Sequence, residues 1–562
     1  MKVSDLIINF LKLKGITHTF CVSGGGCIHL IDSLRTSKLN VTCTHHEQAA
    51  IMAAEGYTRQ SGKLCASVVT TGPGGTNTMT GLLGMWLDSI PSIIISGQVP
   101  SSQLSEGTGC RQIGDQEFDI IESVKPMTKY AKMVKDPSQV LSELEKAYKL
   151  ATEGRPGPVW LDIPLDVQGA KVEDDIHYVI EKLYKAKKPV IVVGSGIRLS
   201  KSYKQINELV ELLGIPVVTG PHSGVDCIDN TSKYYCGRIG ILGQLTSNKI
   251  IQECDLILAL GTRMPFKMTG YNVKEFSPNS KKIYVDIDQN ELDKHNYKID
   301  KKICMDLNLF LYKLTKSSNF KLNINDWRNK TQKYRSKQIY YHQKHKDIKE
   351  YASFYYLIDK APKHFKNYPI VTSDGTAHVV TQQMYKLNKD QRLFTNVGCA
   401  SMGYGLPAAI GASIANNKGK VICIEGDGSI MMNLQELQTV VGEKIPLKII
   451  VINNEGYLSI KLTQESFFKG QEFASGPKTG VTLPSMEKLS YAFGLNYFSI
   501  KNNKEIDSVL EESIVSEGPC IIEVFTHPME RHEPKVTHKG IDPKTGKIIP
   551  GTLTDMTIKD TY

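Results

Sequence analysis

Short apolar runs, each closed by a Gly or Pro turn, recur along most of this chain. Between these runs, apolar residues repeat at helical spacing. Buried strands that alternate with amphipathic helices are typical of parallel sheets covered on both faces. Because the runs fall into three groups, the pattern predicts an α/β protein with three parallel-sheet α/β domains.

The first group predicts an N-terminal domain over residues 1–170. Its strands are expected within the runs THTFCVSGGG, LCASVVTTGPGG, IPSIIISGQVP and GPVWLDIP. The opening stretch, MKVSDLIINFLKLKG, has apolar residues at helical spacing that Asp5 and Asn9 interrupt. It therefore predicts an amphipathic first helix and not a secretion signal.

The second and third groups predict a central domain over residues 185–315 and a third domain over residues 350–530. The central strands are expected within KKPVIVVG, IPVVTG, CDLILALG and KKIYVDID. Those of the third domain are expected within YPIVTSDG, KVICIEGDG, LKIIVINN and PCIIEVF. Residues 531–562 are rich in Pro, Lys and Gly without clear periodicity, which predicts a C-terminal tail.

Composition and charge narrow the classes of function. A net charge of +10 over 562 residues is mild and suits small anionic ligands. Basic runs interleaved with aromatics are absent, so no nucleic-acid partner is expected, and the most basic stretch, residues 328–349, predicts a solvated helical connector. No apolar run approaches the roughly 20 residues of a membrane span. The 12 scattered cysteines contain no Cys-x-x-Cys pair, which favours reduced thiols in a cytoplasmic enzyme.

One acidic residue, Asp427, lies between two glycines at the end of a predicted strand. Asn454 ends the next buried run, so the two side chains converge if the strands are neighbours. A carboxylate, an amide oxygen, a loop carbonyl at Gly456 and phosphate oxygens would complete a Mg²⁺ shell. Backbone N–H groups of Gly428 and Ser429 would face a phosphate at this turn. Gly-Asp-Gly is common in loops, so two unrelated turns remain the alternative.

Several further motifs occur along the chain in a fixed order. They are HHEQAAIMAAEGYTRQSGK, TTGPGGTNTMTGL, DSIPSIIISGQVP and SMGYGLPAAIGA. Together with the Gly-Asp-Gly turn and the Asn pair, they resemble thiamine diphosphate-dependent enzymes, and most closely the acetohydroxyacid (acetolactate) synthase branch. The resemblance covers nearly the whole chain. It implies pyrimidine-binding, central and diphosphate-binding domains, with thiamine diphosphate and Mg²⁺ as cofactors.

The resemblance assigns two catalytic residues in the first domain. Glu47 matches the Glu that hydrogen-bonds the coenzyme's aminopyrimidine ring and drives proton removal, although a carboxylate that starts a helix is the plainer alternative. Gln116 matches a Gln that faces the coenzyme. Asp115 stands where the synthases have an aromatic residue. Gly25 and Gly26 are assigned to cofactor binding.

In the third domain, the resemblance places further residues on the coenzyme. Met402 would be the apolar wedge between the two rings, and the backbone of Ala400 and Met402 would contact the pyrimidine. Thr376, Ala377 and His378 would lie near the diphosphate. His378 fits an ordinary loop histidine equally well.

The central domain resembles the FAD domain of the synthases. Arg263 matches a position that meets flavin or substrate, and Val192–Arg198 and Asp286–Asp288 would be flavin contacts. Many relatives keep this domain empty, so FAD is left open. Because the family builds its site from two different subunits, a homodimer or homotetramer is implied.

The stretch after Asn454 departs from the synthases, which place a Trp there that selects the second keto acid. The stretch GYLSIKLTQESFF has no Trp. It resembles the matching stretch of relatives found in gene clusters for cell-surface polysaccharides. The resemblance predicts a carboligase that decarboxylates pyruvate and transfers the two-carbon unit to a second carbonyl. The alternatives are a nucleotide-linked keto sugar as acceptor, a simple 2-keto acid decarboxylase and a non-catalytic scaffold.

Overall fold

The computed structural model describes residues 1–171, 175–221, 224–317, 321–338, 343–468, 470–541 and 548–557. They form two compact units, Met1–Tyr178 and Val179–Tyr562. Three six-stranded sheets occur in them, one in the first unit and two in the second, and all their strand pairs are parallel. The predicted three-sheet α/β architecture is therefore confirmed. The domain bounds given above remain a prediction.

The first unit contains one sheet with strand order β2-β1-β3-β4-β6-β5. Its strands are β1 His18–Cys21, β2 Asn40–Cys43, β3 Cys65–Val69, β4 Ser92–Gln98, β5 Tyr130–Met133 and β6 Pro158–Pro164. Its helices are α1 Val3–Leu13, α2 Ile28–Thr36, α3 Glu47–Ser61, α4 Pro73–Thr76, α5 Met79–Leu87, α6 Ile120–Val124, α7 Val140–Thr152 and α8 Leu165–Gly169. Helix α9, Asp175–Lys185, runs into the second unit.

Apolar side chains cover both faces of this first sheet. One cluster joins α1, α2 and α7 to the strands, and a second cluster joins α3, α5 and α6 to the opposite face. Strands β3, β4 and β6 are buried along their whole length, which is why they read as continuous apolar runs. The predicted amphipathic first helix is confirmed as α1, since Val3, Ile7 and Leu11 face the core.

The second unit begins with a sheet of order β12-β11-β10-β7-β8-β9. Its strands are β7 Pro189–Val193, β8 Val217–Thr219, β9 Tyr235–Arg238, β10 Leu256–Leu260, β11 Lys281–Asp286 and β12 Lys301–Cys304. The helices of this part are α10 Gly196–Leu199, α11 Tyr203–Leu213, α12 Leu245–Glu253, α13 Phe266–Thr269, α14 Gln289–Asp293, α15 Leu307–Ser317, α16 Asn325–Ser336 and α17 Gln343–Asp347.

The other sheet of the second unit has the order β14-β13-β15-β16-β18-β17. Its strands are β13 Ile370–Thr372, β14 Leu393–Phe394, β15 Ile422–Gly426, β16 Lys448–Asn453, β17 Asn496–Ile500 and β18 Cys520–Phe525. The helices here are α18 Phe354–Phe365, α19 Thr376–Met384, α20 Gly405–Ala415, α21 Asp427–Ile430, α22 Glu436–Gly442, α23 Leu458–Phe467, α24 Met486–Phe493 and α25 Ile506–Val515. Clusters of apolar residues cover both of its faces.

The predicted connector is helical where it is described, as α16 and α17, while residues 339–342 lie outside the described residues. It is less solvated than predicted, because Thr331 and His345 are buried and Arg328 donates hydrogen bonds to the carbonyls of Leu213 and Gly214. Within the described ranges, no helix is both long and apolar enough to cross a membrane.

The predicted tail forms short antiparallel pairs of strands, which its lack of periodicity did not indicate. They are β19 Lys535–Val536 with β22 Met556–Thr557, and β20 His538–Ile541 with β21 Ile548–Pro550. Residues 542–547 and 558–562 of the tail lie outside the described residues.

Strands β15 and β16 are direct parallel neighbours, with Gly426 opposite Ile452. Asp427 follows the end of β15, and Asn454 follows the end of β16. The carboxyl ends of both strands therefore lie at one edge of the sheet. Ligands of open α/β sheets bind at such an edge.

Candidate active site

The Gly-Asp-Gly turn is buried at the edge of the third sheet. The carboxylate of Asp427 is 1% exposed, and its Oδ2 accepts hydrogen bonds from the backbone N of Asn454 at 3.1 Å and of Gly456 at 3.0 Å. Its Oδ1 accepts one from the N of Gly428 at 2.7 Å. The predicted convergence of the two strand ends is thus present. Asp427 is buried because the loop after β16 folds over it.

Burial controls the charge of this carboxyl group. Desolvation raises the pKa of Asp427 from 3.8 to about 6, although the backbone N–H groups and the nearby Lys461 act in the opposite direction. The group is therefore ionised at neutral pH and takes up a proton below about pH 6.

The two adjacent asparagines have different surroundings. Asn454 is 3% exposed, and its Oδ1 has no hydrogen-bond partner among the described residues. Asn453 is instead tied into the protein, since its Nδ2 donates to Oε1 of Glu523 at 2.7 Å. A buried oxygen without a donor costs free energy, and a bound cation would offset that cost. Asn454, whose backbone N contacts the Asp427 carboxylate, therefore has a buried side-chain oxygen that fits a Mg²⁺ ion.

Gly456 allows the loop to close over Asp427. Its φ of +119° is disfavoured for other residues, and a Cβ there would lie 2.4 Å from the carbonyl oxygen of Ser475. Its own carbonyl accepts a hydrogen bond from the N of Leu458 at 3.2 Å. A carbonyl oxygen has a second lone pair, so the predicted role of this oxygen as a metal ligand remains compatible with the contact.

Lys461 is a residue of this site that the sequence analysis missed. It is 4% exposed on α23, and its Nζ donates to the carbonyl oxygens of Asn454 at 3.2 Å and Glu455 at 2.8 Å. Its charge also offsets that of Asp427. The only signal in the sequence was a lysine one helical turn from the buried Leu458.

The segment with the predicted wedge, Met402, is tied to the Gly-Asp-Gly turn. Ser429 Oγ accepts a hydrogen bond from the N of Gly403 at 2.9 Å and pairs with Ser373 Oγ at 2.7 Å. Ala400 has a φ of +55°, which is unusual for a residue with a side chain. The structure therefore places the segment that contains Met402 beside Ser429. The Gly428 N–H, which was expected to face a phosphate, donates to Asp427 instead.

Thr376, Ala377 and His378 form the buried first turn of α19. The helix follows β13, which pairs with β15, so it begins at the same sheet edge as Asp427. Thr376 Oγ1 lies 3.1 Å from Nε2 of His532, another residue that the sequence analysis missed. Burial lowers the pKa of His532 to about 4, so its ring is neutral at physiological pH.

Glu425 is a second buried carboxylate on β15, and no sequence motif singled it out. Its Oε1 accepts a hydrogen bond from the N of Leu406 at 3.0 Å, in the first turn of α20. Burial raises its pKa to about 7. A carboxylate at the start of a helix is stabilised by the helix dipole, which explains how the strand tolerates it.

In the first unit, Glu47 starts α3 and is 8% exposed. Its Oε2 accepts a hydrogen bond from Nδ2 of Asn77 at 3.0 Å. A Cβ on Gly74 would lie 3.6 Å from Glu47 Oε1 and 2.6 Å from Cγ2 of Thr70. The glycine therefore keeps the space beside the carboxylate open.

Gly26 contacts Thr70, the residue that also lies against Gly74, whereas Gly25 shows no such contact. The N of Gly26 donates to Thr70 Oγ1 at 3.0 Å, and its carbonyl accepts from Nε2 of Gln168 at 2.7 Å. Gly25 is exposed, and a Cβ added to it would meet no atom within 4 Å among the described contacts. A Cβ at position 26 would lie 3.0 Å from Thr70 Oγ1, so packing favours a glycine there and explains nothing at position 25.

Gln116 lies on a loop that packs against Gly72. It has a φ of +60°, its side chain is exposed, and its carbonyl would lie 2.4 Å from a Cβ on Gly72. Glu117, which the sequence analysis missed, shapes this loop by accepting hydrogen bonds from the N of Ile113 and of Gly114. Although burial acts to raise the pKa of Glu117, these bonds lower it overall.

The residues assigned to flavin have protein partners. Arg263 is exposed and pairs with Glu291 at 3.1 Å, and Asp288 caps α14 by accepting from the N of Asn290. Two carbonyls at the end of β10 accept the backbone N–H groups of Gly194 and Gly196. The glycines of Val192–Arg198 are thus explained by close loop packing.

Comparisons with known proteins match all three parts of the chain. The family model described as "Thiamine pyrophosphate enzyme, N-terminal TPP binding domain" matches residues 1–123. The central domain of the same family matches residues 176–314, and its C-terminal TPP binding domain matches residues 374–524.

The chain belongs to the thiamine pyrophosphate (thiamine diphosphate) enzyme family. It is similar to the acetolactate synthase isozyme 2 large subunit of Escherichia coli, with 31% identity over 95% of this chain and 97% of that protein. A probable acetolactate synthase large subunit of Methanococcus aeolicus is 30% identical over 94% of this chain and 92% of its own length. The chloroplastic acetolactate synthase of Arabidopsis thaliana is 30% identical over 96% of this chain and 83% of its own length. The protein is thus an acetolactate synthase-like enzyme that uses thiamine diphosphate.

Proposed function

We propose that this thiamine diphosphate enzyme is a Mg²⁺-dependent carboligase that decarboxylates pyruvate and joins the two-carbon unit to a second carbonyl compound. The observation that carries the proposal is the unpartnered, buried Oδ1 of Asn454 beside the Asp427 carboxylate, at the ends of two neighbouring strands. The names of the acetolactate synthases to which the chain is similar support the choice of reaction.

The residues present fit both cofactors. Asp427, Asn454 Oδ1 and the carbonyl of Gly456 would hold Mg²⁺, which in turn would hold the diphosphate. Glu47 would hydrogen-bond the aminopyrimidine ring, with Asn77 keeping its carboxylate in place. When bound, the coenzyme supplies the nucleophilic carbon and the electron sink for decarboxylation. The resemblance assigns Met402 to holding the two rings at an angle and Gln116 to facing them.

A large cleft with several polar side chains in its lining supports an acceptor bigger than pyruvate. The cleft has a volume of about 760 Å³ and lies between α23 and the strands of the C-terminal tail. Thr463, at the stretch where the synthases carry their selecting Trp, lines it together with Ser459 and Ser466. Lys535 also lines it, with no carboxylate within 4.0 Å in the described part of the chain. A polyhydroxylated or phosphorylated acceptor would match these groups.

This cleft favours the second candidate, transfer onto a nucleotide-linked keto sugar. Clefts of 300–1,000 Å³ typically hold ligands far larger than a three-carbon acid. Pyruvate as its own acceptor, which gives acetolactate, remains the first candidate because of the similar proteins. We further propose a cytoplasmic homodimer or homotetramer. Flavin is left out of the proposal, because Arg263, Asp288 and the Gly194 loop already have protein partners.

Replacing Thr463 by Trp tests the choice of acceptor. The indole would occupy part of the cleft and supply the missing apolar face, so kcat/KM for a nucleotide keto sugar should fall by roughly 10- to 100-fold. The keto-sugar candidate predicts that acetolactate formation from pyruvate alone is slow in the parent enzyme and faster in Thr463→Trp, since each Å² of apolar contact contributes about 25 cal/mol. Steady-state kinetics with both acceptors measure this shift.

The matched control is Thr463→Val, which keeps the volume of the side chain and removes its hydroxyl. That hydroxyl donates to the Ser459 carbonyl within α23, so the control should keep the acceptor preference of the parent. If pyruvate alone saturates the parent enzyme at full turnover and no larger acceptor competes, the keto-sugar candidate is wrong and the acetolactate synthase reaction stands.

A further inference from the structure

A partly open cavity in the second unit lies away from the residues discussed so far. It has a volume of about 50 Å³ and is bounded by the end of β9, the last turn of α16 and the segment that follows α19. Arg238, Arg335, Asn230, Gln244 and Tyr385 are among the residues that line it. Helix α19 ends beside the cavity and begins at Thr376, which is assigned to the diphosphate of the coenzyme. The nine residues of the helix place Thr376 roughly 13 Å from the cavity.

Arg238 points a buried positive charge at this cavity. Its side chain is 2% exposed, and its Nη2 donates to the carbonyl of Tyr385 and to Oδ1 of Asn230. Its Nε and Nη1 have no hydrogen-bond partner among the described residues. A guanidinium has five N–H donors, so most of its donor capacity is unused.

No acidic side chain balances this charge in the part of the chain that the structure describes. The described lining contains no Asp or Glu, but it includes a second arginine, Arg335, that is half-buried and has no carboxylate within 4.0 Å. Lys386 also lines the cavity, but its charge is paired with Asp359 at 2.9 Å. The cavity is therefore positively charged on two sides without compensation.

A buried guanidinium without a counter-charge is strongly destabilising, so such groups are normally found paired. A single water needs about 10–15 Å³ of such space, so a cavity of about 50 Å³ has room for a tetrahedral oxyanion. Arginine side chains bind phosphate oxygens through two parallel N–H donors. We propose that this cavity binds a phosphate group, with Arg238 and Arg335 as its ligands.

The proposal does not depend on the proposed reaction, because its test is binding. The full-length enzyme is first saturated with thiamine diphosphate and Mg²⁺, which keeps phosphate out of the coenzyme site. Inorganic phosphate is then titrated by calorimetry at constant ionic strength in chloride. We expect one site per chain and a phosphate-dependent rise in the thermal midpoint.

Two arginine variants and one control identify the ligands. Arg335→Gln should weaken phosphate binding by roughly 10- to 100-fold, the loss typical of a hydrogen bond to a charged group. Arg238→Gln should abolish the phosphate-dependent rise in the thermal midpoint. Lys337→Gln removes the same charge from an exposed position just beyond α16 and should bind phosphate like the parent.

Titration with AMP separates two sources of the phosphate group. Binding tighter than that of inorganic phosphate assigns the site to the phosphoryl group of a nucleotide, and weaker binding assigns it to free phosphate. Two results would overturn the proposal: no binding of either compound, or equal losses in Arg335→Gln and Lys337→Gln. The second result would mean that only the surface charge of α16 matters.

Discussion

At the scale of single residues, Asn453 and Asn454 show that two identical neighbouring side chains can have different roles. Asn453 is the last residue of β16 and holds Glu523 on the adjacent strand, whereas Asn454 presents a buried oxygen to which nothing in the described protein donates. Strand geometry makes this division necessary, because successive side chains point to opposite faces. The Asn453-Asn454 pair therefore contains one structural residue and one proposed metal ligand.

The two substitutions Asn454→Ala and Asn453→Ala should separate these tasks. Asn454→Ala removes an oxygen without a donor, so stability without cofactors should change by less than about 0.5 kcal/mol. Mg²⁺-dependent binding of thiamine diphosphate should weaken by roughly 10- to 100-fold or more. Calorimetric titration of the coenzyme at several Mg²⁺ concentrations measures this effect.

Asn453→Ala serves as the control for that titration. It removes the donor to Glu523 Oε1, while the Tyr497 hydroxyl still donates to Oε2. The variant should cost about 1–3 kcal/mol of stability and keep the Mg²⁺ dependence of the parent. Equal Mg²⁺ dependence in the Asn454→Ala variant and the parent would remove Asn454 from the metal site.

At the scale of elements, the sequence predicted the inner strands of every sheet and missed the outer ones. In each of the three sheets, the four inner strands coincide with predicted apolar runs, and both edge strands were not predicted. The outer strand β2 is exposed at all four residues, whereas the inner strand β3 is buried at all five. Apolar runs arise only where both faces of a strand are covered, so edge strands lack that signal.

The same reasoning explains which site residues could be predicted. Asp427 and Asn454 lie where two strongly apolar strands end, so their positions followed from the pattern. Lys461, Glu425 and His532 act through burial and contacts across the fold, which no local pattern encodes. The positions of Glu47 and Gln116 had a signal only through the family resemblance.

Strand β6 carries a buried acid, Asp162, whose titration should be measurable. Burial raises its pKa from 3.8 to about 7, while hydrogen bonds from Ser96 and Gln98 act in the opposite direction. The folded state therefore holds this proton at pH values where the unfolded state has lost it. Stability of the first unit should fall as pH rises from about 4 to about 7, by up to roughly 4 kcal/mol.

Comparison with Asp162→Asn isolates this contribution. The variant has no proton to lose, so the difference in stability between it and the parent should change across that pH range and be constant above it. Hydrogen exchange of the β4 and β6 amides, measured at several pH values, reports the stability of this sheet. Parallel pH profiles for the two proteins would show that Asp162 does not titrate there.

At the scale of the whole molecule, the proposed machinery is distributed along the chain. Glu47 belongs to the first compact unit, and Asp427 and Asn454 belong to the second. The family resemblance implies that each coenzyme is served by the Glu47 of one subunit and the metal site of another. This arrangement would make assembly a condition for activity.

Co-expression of two inactive variants tests that arrangement. At limiting Mg²⁺ and coenzyme, Glu47→Gln and Asn454→Ala chains should each have only a few per cent of the parent activity, or less, when alone, as the losses expected above imply. In a mixed population of dimers, half would combine the two variants, and each of these would contain one intact site. Activity of about a quarter of the parent value is therefore expected from equal amounts of the two chains. No recovery in a mixture shown to contain both chains would mean that each subunit builds its own site.

The central claim is that the enzyme releases CO₂ from pyruvate and forms a new carbon–carbon bond. The most direct measurement follows ¹³C-labelled pyruvate by NMR with the full-length enzyme, thiamine diphosphate and Mg²⁺, with and without a keto-sugar acceptor. We expect CO₂ release coupled to a ligated product, lost without either cofactor and reduced by roughly 10²- to 10⁴-fold in Glu47→Gln. Acetaldehyde as the sole product, or no CO₂ release at all, would contradict the account.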